Sequence, residues 1–164
     1  MKKLLIPVLF VTLFAACNKE EEVPNCSYDP CAVKAPASEI QQVKDYLASR
    51  NINATQHCSG LFYTISNAGT GATPGICNGV TVQYTGRLTD GQIFDQTTTR
   101  PATFGLNGLI EGWKKGIPLI KQGGTITLYI PPSLGYGPNA QTGGRVPIPA
   151  NSILIFEIQL DAVL

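Results

Sequence analysis

Apolar and polar residues alternate through most of the chain after residue 60. In the segment 80–85, apolar or aromatic side chains alternate with threonine and glutamine. A period of two puts the apolar side chains on one face of a β-strand. The pattern predicts strands at 61–65, 80–85, 93–95, 103–104, 125–130 and 154–160. Because the chain has too few helices for parallel crossover units, we expect an antiparallel sheet with a single buried face.

The segment 108–117 interrupts this alternation with a helical period. Apolar side chains recur there three and four positions apart, at Leu109, Ile110, Trp113 and Ile117. The same spacing is expected to turn Glu111, Lys114 and Lys115 toward water. An isolated helix of fewer than about 12 residues is marginal in water. We therefore predict an α+β fold in which the sheet wraps around this one helix, with the chain's only tryptophan between them.

A second helical pattern precedes the strands. Ser38 and Gln41 have the spacing of a capping box, and Asn51 is a residue type that often ends a helix. An apolar stripe lies between them, at Ile40, Val43 and Leu47. This stripe must be covered, either by docking on the neighbouring domain or by pairing with another copy of the chain. Docking is the simpler arrangement, and we favour it.

The first 25 residues have features of an export signal. Residues 1–16 contain two lysines and then a mostly apolar run, which is too short for the roughly 20 residues of a membrane span but suits a secretory signal. Phe14-Ala15-Ala16-Cys17 resembles a bacterial lipobox, in which the cysteine is lipidated; cleavage after Ala16 without lipidation is the alternative. Residues 17–25 would then be a linker. Within them, the run of Lys19 followed by acidic residues also resembles a surface-export signal.

These features predict a lipoprotein of the outer membrane in the cell envelope of a Gram-negative bacterium. The linker leaves two orientations equally open, periplasm-facing and surface-exposed. The membrane partner would be reached through the lipid on Cys17.

Charge excludes one class of partner. The 164-residue chain carries 12 basic and 11 acidic side chains. Such a balance provides no basic surface for nucleic acid, so no nucleic-acid partner is predicted.

Four further cysteines are an even number in a chain predicted to be exported, which favours two disulfides. They are Cys26, Cys31, Cys58 and Cys77. Three pairings are possible, and we favour the most local one, Cys26 with Cys31 and Cys58 with Cys77. No pair has the short spacing of a metal knuckle, so no metal site is predicted. A nucleophilic Cys58 beside His57 is disfavoured, because adjacency in sequence does not give a thiol and its base the required geometry.

The remaining chemistry is limited. The chain has one histidine, no pair of carboxylates set among apolar residues and no phosphate loop, which argues against hydrolytic and nucleotide-dependent enzymes. Aromatic and aliphatic residues recur instead at strand ends beside loops. Taken singly, most of them are expected to be ordinary core residues.

Six motifs give these residues a more specific meaning. They are Val82-Gln83-Tyr84-Thr85-Gly86, Asp90-Gly91 with Phe94-Asp95, Leu109-Ile110-Glu111-Gly112-Trp113, the run 130–137, Ile148-Pro149-Ala150-Asn151 and Leu154-Ile155-Phe156-Glu157. Their order and spacing resemble those of the FKBP-type peptidyl-prolyl cis-trans isomerases. The resemblance runs from about residue 60 to the C-terminus, and the helix before it is similar to the leader of bacterial lipoprotein members.

The resemblance implies a five-stranded antiparallel sheet around one short helix, with a pocket for a prolyl ring between them. Trp113 would form the floor of the pocket, and the Ile110 N–H would hold a substrate carbonyl. The substrate-binding walls would be Tyr84, Phe94, Phe104, Leu109, Ile110 and Phe156. Tyr136 would donate its hydroxyl from the long loop, Ile148 would close that side, and Asp95 would contact Tyr84 at the rim. The residues assigned to catalysis are Tyr84, Asp95 and Tyr136.

The function implied is isomerisation of X-Pro bonds in exported proteins, without a nucleophile and without a cofactor. Proline-containing polypeptides would be the partners, and rapamycin-type macrolides would fit the same pocket. Ala102 stands where the family often has an aromatic residue and would open one wall. A catalytically weak, FKBP-like binding module on the envelope is therefore the alternative. The predicted units are a signal (1–16), a lipidated linker (17–25), a helical extension (26–58) and an isomerase domain (59–164).

Overall fold

A computed structural model describes residues 26–144 and 146–164 of the chain. The predicted signal, the Cys17 lipidation site and the linker lie outside the described residues. The helices and strands are α1 Ala37–Ser49, β1 Thr55–Gln56, β2 Phe62–Asn67, β3 Gly79–Arg87, β4 Ile93–Gln96, β5 Ala102–Gly105, α2 Glu111–Gly116, β6 Thr125–Ile130 and β7 Leu154–Val163. None of the helices described is both long enough and apolar enough to cross a membrane.

The strands form one antiparallel sheet in the order β1-β2-β6-β7-β3-β4, and β5 pairs with β3 beside β4. The α+β class and the wrapped helix are confirmed. The sheet has seven strands rather than five, because the two-residue β1 extends one edge and β3 pairs with two short strands on the same side. The long central pair of β3 and β7 therefore forms the framework on which the rest of the domain is built.

The short helix α2 lies very close to the sheet. A Cβ atom added at Gly112 would come within 2.6 Å of Ile130, and one at Gly116 would come within 2.5 Å of Leu128. Real Cβ atoms do not approach other atoms so closely, so glycine at both positions lets α2 pack directly on β6. This contact fixes where the helix and its Trp113 lie relative to the strands.

Helix α1 covers the opposite face of the sheet. Val43 and Leu47 pack there on Phe62, Tyr129 and Ile155 as a second buried cluster. Docking of the apolar stripe is thus confirmed, whereas the prediction of a single buried face is wrong. The reason is that β2, β6 and β7 each place an apolar side chain on the outer face where the helix lies.

The two ends of α1 differ in how well the sequence indicated them. The helix begins directly after Pro36, no side chain caps it, and the Gln41 amide donates to Asp45 Oδ1 at 2.8 Å instead. The capping box predicted from Ser38 and Gln41 is therefore wrong. At the other end Asn51 adopts a φ of 54°, in the left-handed region that ends many helices. That stop is confirmed.

Two disulfides are present, as predicted, but the local pairing is wrong. Cys26 bonds to Cys77 with Cα atoms 5.6 Å apart, and Cys31 bonds to Cys58 with Cα atoms 5.5 Å apart. The segment 26–36 runs back across the domain, where the Ala35 N–H donates to the Ser59 carbonyl at 2.8 Å. Cys26 and Cys31 therefore each bond to a cysteine in a loop beside the strands rather than to each other.

The segment 26–36 also covers one side of α2, where Tyr28 contacts Lys115. Lys115, expected to face water, is only 2% exposed. Its ammonium group donates to the hydroxyl of Tyr28, which lies in the overlying segment, at 2.7 Å. The expectation for Lys115 is wrong because the helical pattern describes only one element and does not show what later packs over it.

Candidate active site

A cavity of about 160 Å³ opens between α2 and the sheet. Its lining is mostly aromatic and aliphatic, with polar groups at one side. The lining residues are Tyr84, Asp95, Phe104, Leu109, Ile110, Trp113, Tyr136 and Phe156. The structure thus brings together eight of the ten residues predicted for the pocket, contributed by β3, β4, β5, β7, the start of α2 and the long loop before β7.

Trp113 lies at the centre of this lining. Three rings surround the indole at 5.2 Å for Tyr84, 6.0 Å for Phe104 and 5.1 Å for Phe156, each nearly perpendicular to it. Aromatic rings favour such edge-to-face contacts. Only 3% of Trp113 is exposed, and among the described residues its indole N–H has no hydrogen-bond partner. Within the part of the chain that the structure describes, the ring is therefore held by apolar contacts.

The polar side of the cavity is formed by two tyrosines and a carboxylate. Tyr84 donates its hydroxyl to Asp95 Oδ2 at 2.7 Å. Burial, and next the hydrogen bond to Asp95, raise the pKa of Tyr84 above its usual value. Burial, followed by the negative charge of Asp95, also raises the pKa of Tyr136. Both hydroxyls therefore remain protonated at neutral pH, so they can donate hydrogen bonds.

Phe94 and Ile148 do not line this cavity. They lie in a neighbouring groove of about 640 Å³, whose lining also includes Asp95 and Tyr136. Phe94 still supports the pocket wall from behind, because its ring meets that of Phe156 edge-on at 5.4 Å. Asp95 and Tyr136 thus lie between a small, mostly apolar cavity and a larger groove, and they line both.

Gly86 is a contributor that sequence reasoning missed. A Cβ atom at this position would lie 2.7 Å from Phe94 and 2.8 Å from Phe156. Any larger residue would therefore push apart the two rings that form this wall. The signal in the sequence was a glycine within an otherwise alternating strand, which often marks a close approach of other atoms.

Two backbone hydrogen bonds close the long loop beside the groove. They are exchanged by Gln141 and Ile148, each at 2.9 Å.

Ala102, predicted to open one wall of the pocket, lies outside the cavity lining. It pairs with Val82 across the β3–β5 ladder, whereas Phe104 on the same strand forms part of the lining. The wall at β5 is therefore aromatic despite the alanine.

One cluster of metal-ligating residue types lies away from the cavity. Cys31, His57 and Cys58 place their ligand atoms within 4.8 Å of one another. The two sulfur atoms are bonded to each other, and thiolates rather than disulfide sulfurs are the ligands that zinc takes from cysteine. In the oxidised chain this cluster is a cross-link.

Comparisons with known proteins identify the family of the chain. Residues 71–161 match the FKBP-type peptidyl-prolyl cis-trans isomerase family. The outer membrane protein MIP of Legionella longbeachae is 46% identical over 107 residues, which cover 64% of this chain and 45% of that protein. The chain therefore spans less than half the length of this relative.

Solved structures are also similar. FkpA from Escherichia coli has a TM-score of 0.66 and 37% identity, covering 77% of this chain and 60% of that one. A peptidyl-prolyl cis-trans isomerase from Pseudomonas syringae has a TM-score of 0.65 and 32% identity, covering 80% of this chain and 98% of that one. The matched segment, the fold and the arrangement of the cavity lead to one conclusion: this chain belongs to the FKBP-type peptidyl-prolyl cis-trans isomerase family.

Proposed function

We propose that the chain catalyses cis–trans isomerisation of X-Pro bonds in polypeptides and that the 160 Å³ cavity receives the prolyl ring. The observation that carries this proposal is the lining of the cavity, with Trp113 at its centre and the Tyr84–Asp95 pair at its rim. Proline is the suitable substrate residue, because its cis form is populated and its isomerisation is slow.

The cavity can act without a nucleophile. A peptide bond resists rotation with a barrier of roughly 18–20 kcal/mol, because resonance places charge on the oxygen and double-bond character on the C–N bond. An apolar cavity favours the twisted amide, in which this charge separation is lost, over the planar one. Lowering the barrier by about 5 kcal/mol would accelerate rotation by between about 10³- and 10⁴-fold.

The polar groups would orient the substrate around this apolar centre. Ile110 caps the start of α2, where its carbonyl accepts the amide hydrogens of Trp113 and Lys114. We assign its own N–H to a substrate carbonyl and the protonated Tyr136 hydroxyl to a second carbonyl. Asp95 holds the Tyr84 hydroxyl and so keeps that ring in its place on the wall.

The full chain should therefore accelerate cis-to-trans conversion of an X-Pro peptide. We expect the effect to be strongest when X is apolar, because Leu109 and Ile110 offer it an aliphatic wall. The measurement is the first-order isomerisation rate of a prolyl peptide at micromolar protein. An unchanged rate with chain shown to be folded by circular dichroism would reject catalysis and leave the FKBP-like binding module as the function.

The cellular setting is a second part of the proposal. A relative bears the name outer membrane protein MIP, and the lipobox-like sequence 14–17 would place lipid on Cys17. Exported, proline-containing proteins at the cell envelope would then be the substrates. We expect Cys17→Ala to move the chain from the membrane fraction to the soluble fraction. Unchanged membrane fractionation of the variant would reject the lipid anchor without bearing on the isomerase assay.

A further inference from the structure

A buried lysine lies on the side of α2 that faces away from the cavity. The Lys115 side chain has no exposed surface. Its ammonium group donates to Glu111 Oε2 at 2.6 Å and to the Tyr28 hydroxyl at 2.7 Å, and it lies 5.0 Å from the centre of the Tyr28 ring. A charge removed from water in this way requires both a counter-ion and hydrogen-bond acceptors. Tyr28 supplies one of those acceptors from outside the helix.

Glu111 links this group to the start of the helix. It is the first residue of α2 and directly follows Ile110, which lines the cavity. Its carboxylate accepts hydrogen bonds from Tyr28 at 2.9 Å, Lys114 at 3.0 Å and Lys115 at 2.6 Å. Burial alone would raise the pKa of Glu111, but these hydrogen bonds outweigh it and lower the pKa to about 2. The carboxylate therefore stays ionised throughout the neutral range.

The short span that contains Tyr28 is fixed by a disulfide at each end. Cys26 and Cys31 flank it in sequence, and their disulfides lead to Cys77, just before β3, and to Cys58, between β1 and β2. The tyrosine thus belongs to a short span joined to the sheet at two points. Its hydroxyl donates to one helical side chain and accepts from another four residues further on, so it bridges one turn of α2.

We propose that Tyr28 is a positioning residue, which holds the first turn of α2 and so fixes Ile110 and Trp113 in the cavity. The inference rests on the proposed isomerase function for its effect on rate. The residue touches the helix on its far side and does not line the cavity. Small displacements of groups that orient a substrate can lower rates strongly, so the extension contributes to the site although it supplies none of the lining.

The test uses Tyr28→Phe in the full chain, which keeps the ring and removes the hydroxyl. Tyr46→Phe is the matched control, because Tyr46 lies in the same extension but packs on Tyr129 at the outer face of the sheet. We expect kcat/KM to fall about fivefold in Tyr28→Phe and to change less than about twofold in Tyr46→Phe, since only the former removes hydrogen bonds to charged groups. Equal kcat/KM in Tyr28→Phe and the unmodified chain would overturn the proposal.

A double variant separates positioning from general weakening. Lys115→Met keeps most of the side-chain volume and removes the ammonium group. Lys115→Met alone should also lower kcat/KM about fivefold. The double variant should lose no more than about the same, because Tyr28, Glu111 and Lys115 form one hydrogen-bonded network and losses within a network are not additive. A product of the two single losses, about 25-fold, would show that Tyr28 and Lys115 act independently and would overturn the proposal.

Hydrogen exchange at backbone amides tests the same proposal without measuring activity. The Trp113 and Lys114 amides donate to the Ile110 carbonyl at 3.0 and 3.2 Å, so their hydrogen exchange reports the first turn of α2. We expect faster exchange at both amides in Tyr28→Phe and unchanged exchange in Tyr46→Phe. Unchanged exchange in Tyr28→Phe would overturn the proposal, whereas an inactive unmodified chain with faster exchange in the variant would reject only the isomerase function.

Discussion

Replacing Trp113 with leucine should lower the affinity for a rapamycin-type macrolide at least about tenfold, which corresponds to about 1.4 kcal/mol. The macrolide carries a ring that mimics proline, and it would lose the flat aromatic floor on which that ring is proposed to lie. The indole N–H has no partner among the described residues, so the substitution breaks no hydrogen bond there. Leucine retains part of the buried volume, and we expect the chain to remain folded.

Calorimetry measures the affinity of both chains, and Trp113 emission gives a second signal in the unmodified chain, since it has one tryptophan. Leu160→Ala is the control: Leu160 is fully buried, lies on β7 and does not line the cavity. It should cost about 2–5 kcal/mol of stability but leave macrolide affinity within about twofold under conditions where both variants are folded. A macrolide that binds by calorimetry without changing the emission, and equally well in Trp113→Leu, would remove Trp113 from the site.

The sequence carried most of the information about the sheet and the cavity. Strands such as β3 and β7 have a regular period of two, and one face of each is buried along most of its length. The cavity was predictable because its residues lie in or beside those strands, in motifs whose order and spacing resemble those of a known family. That resemblance predicted that Tyr84, Trp113 and Phe156 would lie together, as they do in the cavity lining. Their catalytic and binding roles stay predictions, since proximity does not measure function.

The extension was much less predictable, for a physical reason. Helical periodicity reports which side of a helix is apolar, but Lys115 became buried through a tyrosine 87 residues away in sequence. Disulfide pairing is equally hard to predict from local sequence, because it depends on where the chain returns in space and not on the spacing between cysteines. Local rules favoured Cys26 with Cys31, whereas docking of the segment 26–36 on the sheet brought each of them to a distant partner.

Those long-range cross-links should contribute strongly to stability. Replacing Cys26 and Cys77 together with serine opens a link of 51 residues, for which the loss of chain entropy predicts about 4 kcal/mol of destabilisation. Replacing Cys31 and Cys58 opens a link of 27 residues and should cost about 3.5 kcal/mol. Both are large beside the roughly 5–15 kcal/mol that stabilises an ordinary domain. The free energy of unfolding in urea, measured without reductant, gives the comparison.

A count of free thiols separates this pairing from the local one. Every variant also carries Cys17→Ser, so that of the five cysteines only the four that form disulfides can contribute, and each double variant keeps two of these. Cys26→Ser with Cys77→Ser removes both partners of one disulfide, so no thiol should react with an alkylating agent in the unfolded chain. Cys26→Ser with Cys31→Ser removes one partner from each disulfide and should leave two reactive thiols, on Cys58 and Cys77. The local pairing predicts none in the second variant, because Cys58 and Cys77 would remain bonded to each other. Each double variant removes two cysteines, so a difference in reactive thiols between them reports connectivity and not cysteine number. Finding no reactive thiol in the second variant would contradict the pairing that fixes Tyr28 over α2.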